Sequence, residues 1–289
     1  MTSEELLQQQ LATSRKKPKG VKVPVAVGLS YNVELQKLVR EIRADINAKI
    51  VSVVKSTSSN YTRDAAWIDL LVGTIDAVKA KWSSPAFNAV AMRIASKFVR
   101  EAATANEKNF KRDVGIDVFT GNQSLQDAAQ LAISNNVALI KSIPAQYLTQ
   151  VESIVLTNVR AGNRPSAITS LLVDQFGVTE RRAKMIARDQ TSKVNGDLTA
   201  KRQQESGFDY FEWDDSDDER VRKRHSDIAE KVTVYGKGVY SWSSPPLSDK
   251  GVPIIPGQDF QCRCIARPVS QREVDANVKA GRTNPSVKR

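Results

Sequence analysis

The sequence contains few of the residues that mark several common protein classes. Of its 289 residues, only two are cysteine, Cys262 and Cys264, and only one is histidine, His225. Two cysteines are too few for the disulfide framework of a small secreted domain. Aromatic residues make up 6% of the chain, whereas Ala, Val, Ile and Leu recur throughout. This composition favours packed helices over a β-sandwich.

Signatures of membrane proteins and of common enzymes are also missing. No apolar run approaches the length of a membrane span, so we expect no membrane partner. The N-terminal residues contain no hydrophobic signal-peptide segment, so we expect the product to stay in the compartment where it is made. The sequence has no phosphate-binding glycine loop, serine elbow or dinucleotide fingerprint, which argues against several enzyme classes.

Positive charge is in excess, with 43 Lys and Arg residues against 32 Asp and Glu residues and a formal charge of +11. A basic chain attracts polyanions, of which nucleic acid is the commonest. Residues 1–30 hold little apolar content, so we predict a basic flexible arm that either contacts DNA or an acidic partner or is simply solvated. The candidate contact residues in this arm are Arg15, Lys16, Lys17, Lys19 and Lys22.

Helical periodicity dominates residues 31–206. Apolar side chains recur at three- and four-residue steps, and they predict helices over residues 31–54, 63–82, 85–112, 125–143, 147–162, 166–176 and 180–205. Asn32 is the expected N-cap of the first helix, and a serine is expected to cap the helix that begins at Pro85. Pro144 is expected to interrupt a helix, and Gly177 to end one.

The composition changes after residue 207, where aromatic and β-branched residues become frequent. Gly236-Lys237-Gly238 is expected to form a hairpin turn, and residues 260–266 a last strand. The predicted fold class is mainly α, a helical body with a small C-terminal α+β cap. The predicted domains are an arm at 1–30, a helical region at 31–124, a second domain at 125–268 whose cap begins at 207, and a basic tail at 269–289. Within residues 270–289 we expect a short helix followed by a loose tail.

Three blocks of sequence resemble the Mu F-like head-morphogenesis proteins of tailed phages. They are the helix Arg182-Ala-Lys-Met-Ile-Ala-Arg-Asp-Gln-Thr191 with Asn195, Leu198 and Arg202; then Trp213, Asp218, Arg220, Val221, Arg222 and His225; then Pro256-Gly257 with Cys262-Arg263-Cys264. The resemblance covers residues 125–268, and the combination of blocks is more specific than any block alone. One departure is that Ala229 and Glu230 stand where the family usually has an Asp-Gly or Asn-Gly turn.

The resemblance implies a structural role and no reaction. It implies a minor capsid protein of the virion, made in the host cytoplasm and located in the capsid interior near the portal. There it would aid procapsid assembly and DNA packaging or ejection. The implied partners are the portal protein, the major capsid or scaffold protein, and non-specifically bound double-stranded DNA.

The family pattern also brings His225, Cys262 and Cys264 together. Imidazole and thiolate are natural zinc ligands, and a small cap with a thin core gains stability from such an ion. The candidate fourth ligand is Asp218, with Asp217 and Asp227 as alternatives. Against a metal, the Cys-x-Cys spacing is tighter than a usual zinc knuckle, and both thiols would lie on one face of a strand as small buried side chains.

Two further hypotheses come from other functional classes. The chain would be a zinc-stapled DNA-binding module outside a virion, or a Cys/His enzyme or toxin of a mobile element with a cysteine nucleophile and a histidine base. The His-x-Glu and Cys-x-x-Cys signature of zinc deaminases is absent, and we expect no enzyme. On the long helix, Arg188, Thr191, Asn195 and Arg202 share a polar face that is either solvated or meets the portal or DNA.

Overall fold

The computed structural model describes residues 17–56, 65–117, 122–216 and 219–286. In these ranges the α-helices are α1 Val25–Asp45, α2 Ser52–Ser56, α3 Ala65–Lys81, α4 Pro85–Val114, α5 Gln123–Arg160, α6 Pro165–Glu205, α7 Lys223–Glu230 and α8 Gln271–Lys279. A π-helical segment, Ile46–Val51, joins α1 to α2. The strands are β1 Tyr210–Asp214, β2 Val232–Thr233, β3 Gly236–Lys237, β4 Val239–Ser241 and β5 Ile265–Val269. The fold is mainly α with a small C-terminal α+β cap, as predicted.

The chain divides into two compact units, neither of which is continuous in sequence. The first unit is Met1–Val27, Val99–Ala132 and Asp189–Arg289, and the second is Gly28–Phe98 and Ile133–Arg188. Helices α4, α5 and α6 each contribute residues to both units. Among the described helices, none combines the length and the apolar character that crossing a bilayer requires.

The second unit is built from helices that bury aliphatic and aromatic side chains. The Tyr31 and Phe98 rings stack with their centroids 4.0 Å apart, and the Tyr31 hydroxyl donates to Asn136 Oδ1 at 3.0 Å. The Arg43 guanidinium lies 4.1 Å from the centre of the Phe176 ring. The buried Tyr31 hydroxyl is therefore paired inside this unit, which offsets the cost of removing it from water.

The first unit contains both sheets of the described chain. Strand β1 is central in a three-stranded antiparallel sheet of order β4-β1-β5, in which Phe211 lies opposite Tyr240 and Trp213 opposite Ala266. The Phe211 ring stacks on Trp242 with the centroids 4.0 Å apart. Alternate residues of β1 are buried, and this face and the cysteine segment share one apolar core. That core fixes β1 next to the residues of the candidate site.

Two predicted helix breaks are wrong. Helix α5 continues through Pro144, although proline removes one backbone hydrogen bond there. Ile140, Ile143, Tyr147 and Leu148 are buried on both sides of it, so tertiary burial outweighs the local cost. Helix α6 likewise runs through Gly177, and the Thr179 hydroxyl donates to the Gln175 carbonyl at 3.0 Å inside this helix.

The helix starts were predicted with mixed success. Helix α1 begins at Val25, directly after Pro24, and not at Tyr31; Asn32 is internal, with its side chain near that of Gln36. The predicted cap before Pro85 is confirmed, because Ser84 Oγ accepts from the Phe87 N–H at 3.3 Å. Proline favours the start of a helix, because its fixed φ suits the first helical turn. Pro24 provides this signal directly before Val25.

The turn and the last strand of the cap also differ from expectation. Gly236 and Lys237 lie within β3, and the turn falls at residues 234–235 because Thr233 Oγ1 accepts from the Tyr235 N–H at 3.1 Å and so closes it early. The last strand begins at Ile265. The cysteines precede it, because Gln261 has a φ of 55° that interrupts extended backbone.

The first described residues are more ordered than predicted. Val21 is fully buried against Phe110, Ile116 and Phe208, and α1 begins at Val25. The expectation of a flexible arm is therefore wrong for residues 17–30.

The short helix predicted within residues 270–289 is confirmed as α8, Gln271–Lys279. This helix buries Val274 against the β4 and β5 residues Val239 and Val269.

Candidate metal centre

His225 lies in the first turn of α7 and is 3% exposed. Its ring meets the buried Trp213 of β1 edge to face, with centroids 5.4 Å apart. Helix α7 continues through Ala229 and Glu230, so the usual family turn is replaced by helix at these positions. The imidazole is consequently fixed between a strand and a short helix.

Cys262 and Cys264 lie in the segment before β5 and are 2% and 4% exposed. Their Sγ atoms lie 3.6 and 3.5 Å from His225 Nδ1. The three donor atoms all lie within 4.8 Å of one another, and they form the only group of three or more His, Cys, Asp or Glu donors found in the described part of the chain. The structure thus brings together the three residues that sequence reasoning selected.

The opposite nitrogen of the imidazole is held by a carboxylate. His225 Nε2 lies 3.1 Å from Asp259 Oδ2, and the Arg222 guanidinium binds the same oxygen at 2.9 Å. Arg222 also donates to the Phe260 carbonyl. This chain of contacts sets the ring orientation and directs Nδ1 at the thiols. Asp259 was not singled out from the sequence, because an isolated Asp in a loop carries no local signal.

The electrostatics favour one thiolate in the cluster. A hydrogen bond from Cys264, opposed by burial and assisted by His225, lowers the pKa of Cys262 to about 4. The same Cys262 contact, together with burial, raises the pKa of Cys264. The Cys262 hydrogen bond also raises the pKa of His225, against the effect of burial. Without a metal, these shifts favour a thiolate at Cys262 that is hydrogen-bonded by Cys264 and His225.

The loop that carries the cysteines is anchored on α6. Asp189 Oδ1 accepts from the Gln261 N–H at 2.7 Å, which holds the residue of positive φ directly before Cys262. A Cβ on Gly196 would lie 2.5 Å from the Pro256 carbonyl oxygen, and one on Gly257 would lie 2.8 Å from the Ser192 carbonyl oxygen. Loop and helix therefore meet backbone to backbone, and glycine permits this approach.

A second buried polar group in the first unit was missed by sequence reasoning. Asn106 of α4 donates to Asn195 Oδ1 at 3.0 Å and to Thr199 Oγ1 at 2.8 Å. It accepts from Arg202 Nε at 3.0 Å. These four side chains are buried. The polar face of α6 is consequently an internal hydrogen-bond network over Asn195–Arg202, and the expectation of a solvated or docking face is wrong there.

The remaining predicted site residues fall in three groups. Asp217, Asp218, Arg15 and Lys16 lie outside the described residues. Asp227 lines a separate cavity of about 420 Å³ with Arg224 and Tyr240 and is not among the clustered donors. Lys17 pairs with Glu273 at 2.7 Å, while Lys19 and Lys22 are exposed.

Burial limits what the cluster can do chemically. A cysteine nucleophile must reach its substrate, yet both thiols are almost fully enclosed. The apolar partners Phe211, Trp213 and Ile254 belong to the same core cluster as the cysteines. Such an arrangement suits a structural ion or a buried charge pair better than turnover.

The comparisons with known proteins match the region of the chain that contains this site. A family model described as Phage Mu protein F like protein matches residues 149–267. An uncharacterized protein of Haemophilus influenzae (strain ATCC 51907 / DSM 11121 / KW20 / Rd) is 29% identical over 296 residues, which cover 99% of this chain and 62% of the relative. The chain thus spans less than two thirds of that relative's length. No solved structure matches.

Proposed function

We propose that this chain is a head-morphogenesis protein of a tailed phage, because residues 149–267 match a family model described as Phage Mu protein F like protein. It acts inside the capsid, near the portal, as a minor component that aids procapsid assembly and DNA packaging or ejection. The family match is the observation that carries this proposal. The matched range contains the whole of α6 and the whole candidate metal centre.

The contacts that these residues make inside the protein support a structural role in assembly rather than an enzymatic one. Asp189 and Gly196 of α6 hold the cysteine loop, and Asn195 and Arg202 hold α4 through Asn106. These α6 residues thus make contacts inside the first unit, where Asn195 and Arg202 are buried. Function in such a protein comes from its surface and from the partners that the surface meets.

The proposed partners are the portal protein, the major capsid or scaffold protein, and DNA bound through its backbone. Support for DNA comes from the formal charge of +11 and from the exposed Lys19 and Lys22. Arg15 and Lys16 extend the same basic stretch. Contacts of this kind neutralise phosphates without reading sequence, so binding should weaken steeply with salt.

An inventory of viral particles tests the proposal. Procapsids and mature heads are purified from cells that produce the phage, and their proteins are counted by mass spectrometry. We expect this chain at low copy number in at least one particle type and expect a tagged portal protein to retain it. Its absence from both particles would contradict the proposal. A DNA-binding module acting outside a virion, or an enzyme, would not co-purify at a fixed ratio to the portal.

A further inference from the structure

We propose that His225 Nδ1, Cys262 Sγ and Cys264 Sγ bind one zinc ion, which joins α7 to the segment before β5. The proposal rests on the donor geometry of these side chains and does not depend on the phage role. The three donors come from two segments separated by more than thirty residues of sequence, so the ion would cross-link two distant segments of the cap.

The distances fit a shared ion. Zinc–sulfur bonds of about 2.3 Å and zinc–nitrogen bonds of about 2.1 Å at the tetrahedral angle place bound nitrogen and sulfur atoms about 3.6 Å apart. The two sulfur atoms lie 3.6 and 3.5 Å from His225 Nδ1. Each thiol therefore already lies at the distance from Nδ1 that one tetrahedral zinc ion imposes, and all three donor atoms lie within 4.8 Å of one another.

Hydrogen bonding alone accounts less well for the two equal distances. Imidazole Nδ1 has one hydrogen or one lone pair, so it forms one well-directed hydrogen bond. A metal ion on that lone-pair axis can bind both sulfur atoms at once. In addition, a side-chain hydrogen bond from Trp213 lowers the pKa of Cys264 and so favours the thiolate that zinc binds, although Cys262 and burial raise this pKa.

The surroundings supply the support that metal-bound histidines usually have. Asp259 accepts at Nε2, and Arg222 holds Asp259, which fixes the ring and leaves Nδ1 for the ion. The aromatic and aliphatic lining excludes water from the thiolates. Zinc binds the deprotonated forms of imidazole nitrogen and of thiols, so binding releases to solvent any proton that these donors carry. Three protein donors leave a fourth position for an oxygen donor.

The first experiment uses the full chain without substitutions. The purified, reduced protein is stripped with a chelator, dialysed against excess zinc, and its metal content measured by plasma mass spectrometry and native mass spectrometry. We expect one zinc ion per chain and a higher melting temperature than in the stripped sample. Cobalt(II) in place of zinc should give the intense sulfur-to-cobalt charge-transfer absorption of a tetrahedral thiolate site.

Variants then assign the ligands. Cys262→Ser and Cys264→Ser should each abolish the charge-transfer band or reduce it to that of one sulfur, and the double variant should bind no zinc. Asp259→Asn should weaken zinc affinity by about 10- to 100-fold while the stoichiometry is kept, since it supports the ring without binding the ion. Glu273→Gln is the matched control, because it alters an ion pair of the same unit outside the cluster and should keep full zinc content.

Two results would overturn the assignment. The first is that the folded, reduced chain without substitutions takes up no zinc or cobalt at any excess. Hydrogen bonds among the two cysteines and His225 would then fully explain the cluster. The other is a double cysteine variant that retains one equivalent of zinc. The first result needs no substitution, so the proposal can be refuted even if a cysteine variant fails to fold.

Discussion

The contact between α6 and the cysteine loop makes a sharp prediction for Gly196→Ala. The added Cβ would lie 2.5 Å from the Pro256 carbonyl oxygen, closer than any normal carbon–oxygen contact. The oxygen belongs to the backbone and cannot rotate away. Either the helix or the loop that leads to Cys262 must therefore move, and the backbone contact between them must open.

The magnitude follows from two opposing effects. Alanine is better than glycine in a helix interior by about 0.5–1 kcal/mol, whereas overpacking a close contact costs about 1–3 kcal/mol. The second effect is the larger one, so Gly196→Ala should lower the free energy of unfolding. Gly73 of α3 is the matched control, because a Cβ there meets nothing within 4 Å. Gly73→Ala should raise the free energy of unfolding by about 0.5–1 kcal/mol.

The assay is urea unfolding of the two variants and the parent chain, followed by far-ultraviolet circular dichroism. The difference between the two alanine variants removes the shared helix effect and leaves the contact itself, about 1–3 kcal/mol. If Gly196→Ala stabilises the chain as much as Gly73→Ala does, the loop does not press on the helix. The account of why glycine stands at position 196 would then be wrong.

Three further predictions follow from the same structure. Asn106→Ala removes the acceptor of the buried Arg202 Nε and should cost about 1–3 kcal/mol in urea unfolding. Glu273→Gln should destabilise the chain at pH 7 by about 1–3 kcal/mol, and this difference should shrink as the pH falls below about 4.3. Replacing Lys19 and Lys22 by Gln should reduce the salt dependence of DNA binding by about 0.9 in slope per lost phosphate contact, measured by fluorescence anisotropy.

The pH prediction has a defined sign. Burial opposes ionisation of Glu273, but hydrogen bonds and charge from Arg267 and Lys17 outweigh it and lower the pKa of this carboxyl. A carboxyl whose pKa is lowered on folding contributes stability above its unfolded pKa and loses it as the pH falls through the folded value. An equal effect of Glu273→Gln at pH 7 and at pH 3 would contradict the assignment.

Controls for the other two predictions lie in the same unit. Asn109→Ala, three residues along α4, removes only a long contact of 3.5 Å to the Lys22 carbonyl and should leave stability nearly unchanged. A cost as large as that of Asn106→Ala would contradict the network. For DNA, Lys279→Gln in α8 removes one charge outside the N-terminal stretch and should leave the salt slope unchanged. An unchanged slope in the Lys19 and Lys22 variant would exclude these lysines as phosphate contacts.

Sequence periodicity predicted most of the helical fold because the buried stripe of a helix is a local pattern. It failed at Pro144 and Gly177 for one reason. The local cost of a proline or glycine in a helix is about 1–3 kcal/mol, and burial of several apolar side chains on either side exceeds it. The size of that burial depends on residues of other helices, so the break could not be decided from the segment alone.

The candidate site was predictable only in part. His225, Cys262 and Cys264 stood out because they are chemically rare in this chain, and the family pattern placed them together. Asp259 could not be found in this way, because its role comes from a contact with a ring 34 residues earlier in the chain. Asn106 was missed for a similar reason, since its partner Asn195 lies 89 residues away.

Most of the polar face of α6 is buried, so a surface that binds a partner must lie elsewhere on this protein. A row of Thr, Asn and Arg on a helix has the same periodicity whether it faces water or a polar network. Here Thr191, Asn195 and Arg202 are each 3% exposed or less, and Asn195 and Arg202 are held by Asn106. A buried guanidinium cannot also neutralise a phosphate, so the DNA contacts proposed for this chain require exposed basic residues such as Lys19 and Lys22.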